Sequence, residues 1–139
     1  QREILQKIYA LKEEFGFAIL FITHDLSLMV EFSNRIGIMY SGELVEIAPS
    51  EKILQKPYHP YTEGLGHSFP SLTGPKTKLT GIPGSPLNLL DIPIGCRFQA
   101  RCQQVQDICT KKSNSLKLIE PNHFSNCHLY GDPIAQFKC

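Results

Sequence analysis

Apolar residues in the first part of the chain follow helical spacing and then form a short continuous run. Between residues 1 and 15 they recur every three or four positions with charged residues between them, at Ile4, Leu5, Ile8, Leu11 and Phe15. This spacing predicts an amphipathic helix, and Gly16 is a typical residue at the end of one. The apolar run at residues 18–23 predicts a buried parallel strand, because such strands are covered on both faces.

Two short helices are predicted further along. Asp25 precedes an apolar stretch at residues 26–32 and is a typical N-cap, since its carboxylate can accept hydrogen bonds from the first free backbone N–H groups of a helix. Ser50 is expected to cap a second helix at residues 50–54 in the same way.

A hairpin is predicted between these two helices. Residues 35–40 and 43–47 are apolar strand-like runs, and Ser41-Gly42 is a typical tight turn between them. The order helix, strand, helix, hairpin, helix predicts an α/β fold, namely the C-terminal portion of a larger α/β domain. Its complete sheet needs more strands than this part of the chain contains.

The composition changes after residue 56, where prolines and glycines become frequent. A short helix is predicted at residues 58–65 with Pro60 near its start, and residues 82–86 (IPGSP) predict a turn or extended chain. All five cysteines follow. We therefore expect two domains, residues 1–56 and residues 57–139, the second being a small irregular cysteine-rich extension.

Composition excludes several classes of protein. Of 139 residues, 42% are hydrophobic and 19% charged, too apolar for a disordered chain. The net charge of +1 gives no basic excess for nucleic acid, and no apolar run approaches the roughly 20 residues of a membrane-spanning helix. The absence of an initiating Met and the unfinished sheet lead us to expect a piece of a longer protein. Its open sheet edge would favour self-association.

His24 directly follows the apolar run at residues 18–23. Ligands of open α/β sheets bind outside the carboxyl ends of the strands, so a histidine there can donate a hydrogen bond to a phosphate oxygen. The alternative is a capping or core histidine, which is the commoner role of a lone histidine.

Residues 18–26 (AILFITHDL) followed by residues 35–45 (RIGIMYSGELV) resemble the switch-histidine region of ABC-transporter ATPases, and the resemblance extends over residues 1–53. It implies that His24 is a catalytic residue that contacts the γ-phosphate of ATP and helps to place the attacking water. The chain contains no G-x-x-x-x-G-K-[ST] phosphate loop and no Ser-Gly-Gly-Gln signature. We therefore expect that ATP and Mg²⁺ belong to the full-length P-loop subunit and that this part alone is inactive.

A second resemblance narrows the family. Residues 58–62 (YHPYT), residues 82–86 and the spaced cysteines are similar, in that order, to the C-terminal extension of peptide-type ABC ATPases, whose cargoes are oligopeptides, dipeptides and sometimes nickel. The resemblance implies a peripheral subunit on the cytoplasmic face of the membrane. Its partners would be a second ATPase subunit and transmembrane permease subunits. For His59 and its two tyrosine neighbours we expect a structural role.

Four cysteines are the candidate metal ligands of the extension: Cys96, Cys102, Cys109 and Cys127. Disulfides are one possibility, although cytosolic thiols stay reduced. Zinc is a second, although no two of these cysteines have the close spacing usual for zinc. A [4Fe–4S] cluster is the third, and the resemblance favours it. His123 or His128 could replace a thiolate, and Cys139 is expected to be a free thiol.

Residues beside the cysteines fit an anionic cluster. Arg97 and Arg101 would offset the thiolate charge, Phe98 would shield the cluster from water, and Gly95 would let the backbone approach a sulfur closely. Three functions then compete: an energy-coupling ATPase subunit, a stand-alone cluster or metal domain with a structural or redox role, and a non-enzymatic interaction module. The His24 segment favours the first, because a stand-alone cluster domain does not need it.

Overall fold

A computed structural model describes residues 2–68 and 81–130. The helices are α1 (Arg2–Phe15), α2 (Leu26–Phe32), α3 (Ser50–Gln55), α4 (Pro60–His67) and α5 (Asp107–Lys111), and a 3₁₀ turn spans Gln99–Arg101. The strands are β1 (Arg35–Tyr40), β2 (Glu43–Pro49), β3 (Lys117–Glu120) and β4 (His123–Ser125). None of the described helices is both long enough and apolar enough to cross a membrane.

The four strands form one antiparallel sheet in the order β1-β2-β4-β3. The sheet is completed across the predicted domain boundary, because Glu46 and Ile47 on β2 pair with Ser125 and Phe124 on β4. Strands from both sides of residue 56 therefore share one hydrogen-bonded sheet. The division of the chain at that residue stays a prediction.

The predicted β1–β2 hairpin is confirmed, and its turn has the geometry that a right-handed twist favours. Ser41 and Gly42 have φ values of +47° and +80°, so both central residues are left-handed, as in a type I′ turn. The guanidinium group of Arg97 donates a hydrogen bond to the Ser41 carbonyl at 2.5 Å. The turn is thereby tied to the cysteine-rich segment.

The core lies on one face of the hairpin. Alternate residues of β1 are buried, as expected of a strand with one covered face. The buried core residues are Leu26, Ile36, Ile38, Tyr40, Val45, Ala48, Ile53 and Phe98. The rings of Tyr40, Tyr61 and Phe98 pack against one another with centroids 4.7–5.4 Å apart, which joins β1 and α4 to the cysteine-rich segment.

The strand predicted at residues 18–23 is wrong for this structure. These residues connect α1 to α2 without pairing to any described strand, and Leu20 and Ile22 are 90% and 87% exposed. A strand needs a hydrogen-bonded neighbour, and no described segment provides one here. The apolar face of α1 is also uncovered, since none of its described residues is buried.

The predicted α1, α2, α3 and α4 are confirmed, with one correction at the start of α3. Pro49 is the N-cap of α3, and Ser50 is already the first helical residue, so the expected Ser50 cap is wrong. The reason is that β2 runs directly into the helix. The Ser50 N–H instead donates to the carbonyl of Asn34 at 3.1 Å, which ties the helix start to the chain before β1.

Candidate functional site

The backbone around His24 is fixed by its two neighbours in sequence. The Asp25 carboxylate caps α2 by accepting from the backbone N–H groups of Ser27 and Leu28 at 3.0 and 3.2 Å. The Thr23 hydroxyl accepts from the Asp25 N–H at 3.1 Å. His24 itself is exposed. Thr23 and Asp25 therefore hold the chain on both sides of a histidine whose ring is open to solvent.

The four candidate cysteines come together around one cavity of about 10 Å³. They reach it from different places: Cys96 and Cys102 flank the 3₁₀ turn, Cys109 lies on α5, and Cys127 follows β4. All four are free thiols. Other side chains that line the cavity are His59, Pro60, Phe98, Gln99, Gln104, His128 and Leu129. No carboxylate is among the lining residues.

Each of three thiols is paired with a backbone N–H group two residues further along the chain. The partners of Cys96, Cys102 and Cys127 are Phe98, Gln104 and Leu129. These bonds favour the thiolates, but burial outweighs them and raises the pKa of all three cysteines, that of Cys127 to about 11. The neighbouring thiols raise these pKa values further. Without a cation among them, these three cysteines are therefore protonated at neutral pH.

A glycine is needed at position 95 because another segment of the chain comes very close to it. The close atoms are backbone atoms of residues 109 and 110, whereas a cysteine sulfur was expected. The Cys96 N–H donates to the Cys109 carbonyl at 2.7 Å. A Cβ atom at position 95 would lie only 2.0 Å from that same carbonyl oxygen. Gly95 thus lets two cysteine-bearing segments lie against each other.

The two arginines expected to offset thiolate charge are held elsewhere. Arg97 bonds the Ser41 carbonyl and lies 3.5 Å from the Glu43 carboxylate. Arg101 donates to the carbonyls of Ile82 and Pro83 at 3.0 and 2.9 Å. Neither arginine lines the cavity. Both guanidinium groups keep their positive charge, so the charge-offsetting role stays a prediction. Phe98 lies where it was expected, buried against the cavity.

Of the two candidate histidine ligands, only His128 lies at the cavity, and its Nε2 atom is 2.8 Å from the Lys112 carbonyl. His123 is bound to Glu46 instead, so its predicted role as a ligand is wrong. Within residues 2–68 and 81–130, no three His, Cys, Asp or Glu side chains stand as a ready site for a metal ion. Cys139 lies outside the described residues.

Sequence reasoning missed a buried carboxylate that joins three segments. Glu46 is completely buried on β2, and it accepts from the backbone N–H groups of Tyr58 and His59 at 2.6 and 3.0 Å. His123 Nε2 lies 2.6 Å from the same carboxylate. The available signal in the sequence was a Glu with an apolar neighbour on each side, Val45 and Ile47.

The structural role expected of the His-Pro-Tyr segment is confirmed. His59 is the N-cap of α4, with its Nδ1 atom accepting from the Tyr61 N–H at 3.1 Å, and Pro60 occupies the first turn. The His59 side chain is only 2% exposed, and burial lowers its pKa to about 4, so the ring is neutral. Tyr58 packs on His123 with ring centroids 4.7 Å apart.

Comparisons with known proteins identify the family of this chain. Residues 45–109 match the family described as the C-terminal region of the oligopeptide/dipeptide transporter. The dipeptide transport ATP-binding protein DppD of Caldanaerobacter subterraneus subsp. tengcongensis is 35% identical over 136 residues, which cover 96% of this chain and 42% of the relative.

Two further relatives agree. The oligopeptide transport ATP-binding protein AppD of Bacillus subtilis is 37% identical, covering 98% of this chain and 42% of the relative. The oligopeptide transport ATP-binding protein OppD of Haemophilus influenzae is 39% identical, and the match covers 93% of this chain and 40% of the relative. The chain therefore belongs to the ATP-binding subunits of ABC transporters, within the oligopeptide/dipeptide family, and it spans about two fifths of the length of these relatives.

Proposed function

We propose that this chain is part of an ATP-binding subunit that couples ATP hydrolysis to peptide import by an ABC transporter. The observation that carries the proposal is the extent of the matches. Relatives named for dipeptide and oligopeptide transport match more than nine tenths of the chain, from the His24 segment through the cysteines. The stand-alone metal domain has no comparable support.

His24 is the residue we propose for catalysis in the full-length subunit. Thr23 and Asp25 restrain the backbone, while the exposed imidazole is free to meet a nucleotide held by other parts of the protein. A donor held in this way stabilises charge that develops on the transferred phosphoryl group. The phosphate-loop motif is absent from the 139 residues. The chain alone is therefore expected to bind and hydrolyse no ATP.

The test is ATP hydrolysis by the full-length subunit with its permease partners, before and after His24→Ala. We expect hydrolysis and ATP-driven uptake of a labelled peptide to fall at least about tenfold while nucleotide binding is retained, since the donor acts on the transition state. Ser27→Ala is the matched control, because only the backbone N–H of Ser27 serves the α2 cap. Hydrolysis at the parental rate by the His24 variant would overturn the assignment.

The partners we propose are a second ATPase subunit and the permease subunits, at the cytoplasmic face of the membrane. In isolation the chain is proposed to self-associate, because the apolar face of α1 and the exposed Leu20 and Ile22 side chains lie uncovered. Light scattering should show an oligomer, and the double change Leu20→Ser and Ile22→Ser should reduce its mass. A parental chain that stays monomeric at high concentration would contradict this.

For residues 57–139 we propose a cysteine-rich extension that holds a [4Fe–4S] cluster through Cys96, Cys102, Cys109 and Cys127, with zinc as the alternative. Four free thiols line one cavity without a carboxylate among them, a donor set that suits soft metals. The backbone N–H groups directed at three sulfurs would stabilise the thiolates once bound. A bound cluster would supply a redox-sensitive cross-link between the segments that carry the cysteines.

A further inference from the structure

A second cavity lies next to the one that the cysteines surround, between α4 and the 3₁₀ turn. Its volume is about 200 Å³, and its lining comes from three segments: α4, residues 81–83 and residues between 98 and 104. Two of these segments carry the family resemblance at residues 58–62 and 82–86. Neither has a ligand in the proposed function. This cavity is called the α4 groove below.

Close packing fixes the walls of the α4 groove. Gly64 on α4 faces Ile82, and a Cβ atom at position 64 would lie only 2.7 Å from Ile82 Cγ1. Gly84 has a φ of +80°, and a Cβ atom there would lie 3.2 Å from Cγ of Arg101. The Arg101 guanidinium group is anchored in turn, because its Nε and Nη2 atoms donate to the carbonyls of Pro83 and Ile82. The groove is therefore formed before any ligand arrives, as small-molecule sites usually are.

Opposite charges line this groove without pairing with each other. Arg101 is half-buried, and its third guanidinium nitrogen, Nη1, has no hydrogen-bond partner in residues 2–68 and 81–130. Glu63 on α4 is exposed, and its carboxylate accepts from the Gln104 side chain at 3.4 Å. Within the described part of the chain, no ion pair joins Glu63 to Arg101 or to another cation. One positive and one negative group are thus both available to a ligand.

We propose that the α4 groove binds a small zwitterion, an amino acid or a dipeptide, whose carboxylate meets Arg101 Nη1 and whose ammonium group meets Glu63. Charge-assisted hydrogen bonds of these two kinds are stronger than neutral ones. The side chains of Gln103 and His67 also line the groove and supply further polar atoms. The ligand is small, because the groove volume is below the roughly 300–1,000 Å³ of sites for drug-sized ligands.

A peptide importer delivers zwitterions to the side of the membrane on which its ATP-binding subunit stands. Occupancy of the α4 groove would then report the supply of imported peptide. That role rests on the proposed function, whereas binding itself does not. Since binding is measured without ATP hydrolysis or transport, a failure to bind counts against the groove alone.

Calorimetric titration of the chain with alanine and with alanyl-alanine tests the proposal and separates the two sizes of ligand. The N-acetylated form of each lacks the ammonium group, and the amide form of each lacks the carboxylate. We expect at least one of the two zwitterions to bind saturably and its blocked forms to bind about fivefold more weakly, since each loses one charge pair. Saturable binding of neither zwitterion would overturn the proposal, and so would equal binding of the blocked and unblocked forms.

Glu63→Gln tests the ammonium side of the groove with an exposed side chain, so the fold should be retained. It should weaken the zwitterion about fivefold and leave the N-acetylated form unchanged, because that form has no ammonium group. Glu51→Gln is the matched control, since Glu51 is an exposed carboxylate on α3 that does not line the groove. It should bind like the parent. Parental affinity in Glu63→Gln would overturn the assignment of Glu63, and equal weakening in Glu51→Gln would show that the groove is not the site.

The amide form of the ligand tests Arg101 without changing a side chain that also holds residues 82 and 83. Nitrogen NMR of the arginine side chains gives a direct second measurement on the parental chain. The Arg101 guanidinium signal should shift on addition of the zwitterion and not on addition of its amide. An Arg101 signal that does not move while the zwitterion binds would overturn the proposed carboxylate contact.

Discussion

The Nε2 atom of His123 on β4 lies 2.6 Å from Oε1 of Glu46 on β2, and both side chains are completely buried. Glu46 also accepts two backbone N–H groups from the segment between α3 and α4. One carboxylate therefore fastens the return strand of the cysteine-rich segment and the His-Pro-Tyr segment to the hairpin.

Glu46→Ala should destabilise the chain by about 3–5 kcal/mol, because it leaves a buried histidine and two backbone donors without their acceptor. Urea unfolding measures the loss. Glu43→Ala is the control, since Glu43 lies on the same strand but is partly exposed, 3.5 Å from Arg97. That pair is worth at most about 1 kcal/mol. Equal losses in the two variants would contradict the proposed importance of the buried carboxylate.

Glu120 predicts an acid-sensitive contribution to stability. Hydrogen bonds from Lys56, from the Tyr58 hydroxyl and from Lys52 lower the pKa of this carboxyl from 4.5 to about 2. A carboxyl with a lowered pKa stabilises the fold fully above its ordinary value. That stabilisation is lost as the pH falls from about 4.5 to about 2, because the unfolded chain takes up the proton first.

The comparison is between the parent and Glu120→Gln, unfolded in urea at a series of pH values. The parent should be the more stable at pH 7, with the difference shrinking below pH 4.5 and in high salt, because the lysine partners are exposed. A difference that does not change with pH would show that the Glu120 charge contributes nothing.

Gly95→Ala should separate the two backbone segments that carry Cys96 and Cys109. Its methyl group would fall 2.0 Å from a carbonyl oxygen, which cannot swing away as a flexible side chain could. We expect a cost of about 1–3 kcal/mol and weaker retention of any metal. Gly66→Ala meets no atom within 4 Å and lies in α4, so it should be neutral or slightly stabilising. Thermal unfolding of both variants measures the difference in stability. Equal melting temperatures for Gly95→Ala and the parent would contradict the need for glycine at position 95.

The parts of the fold that the sequence predicted are those with local causes. The β1–β2 hairpin follows from two apolar runs around Ser41-Gly42, and α2 follows from Asp25 before an apolar stretch. The prediction of a strand at residues 18–23 was wrong because an apolar run indicates only that a segment tends to be buried. Whether a strand forms there depends on a pairing partner that no described residue supplies.

The candidate site was likewise predictable only in part. His24 and the four cysteines could be identified from the sequence, because they occur in a recognisable order of residue types. The Glu46–His123 pair was not, because its members are 77 positions apart and meet only when β4 pairs with β2. The hydrogen bonds of the arginines beside the cysteines were not predictable for a related reason. Proximity in sequence does not show which carbonyls Arg97 and Arg101 bind.

Iron and sulfide content of five single cysteine variants tests the four-thiol site most directly. A metal group bound by Cys96, Cys102, Cys109 and Cys127 closes the chain between the first and last, so its binding energy also holds that segment folded. Changing any one of the four to Ser should release most of the iron and sulfide from anaerobically prepared protein and make the segment sensitive to protease. Cys139→Ser should keep the parental content. Parental iron in the Cys127→Ser variant would contradict a site built from all four thiols.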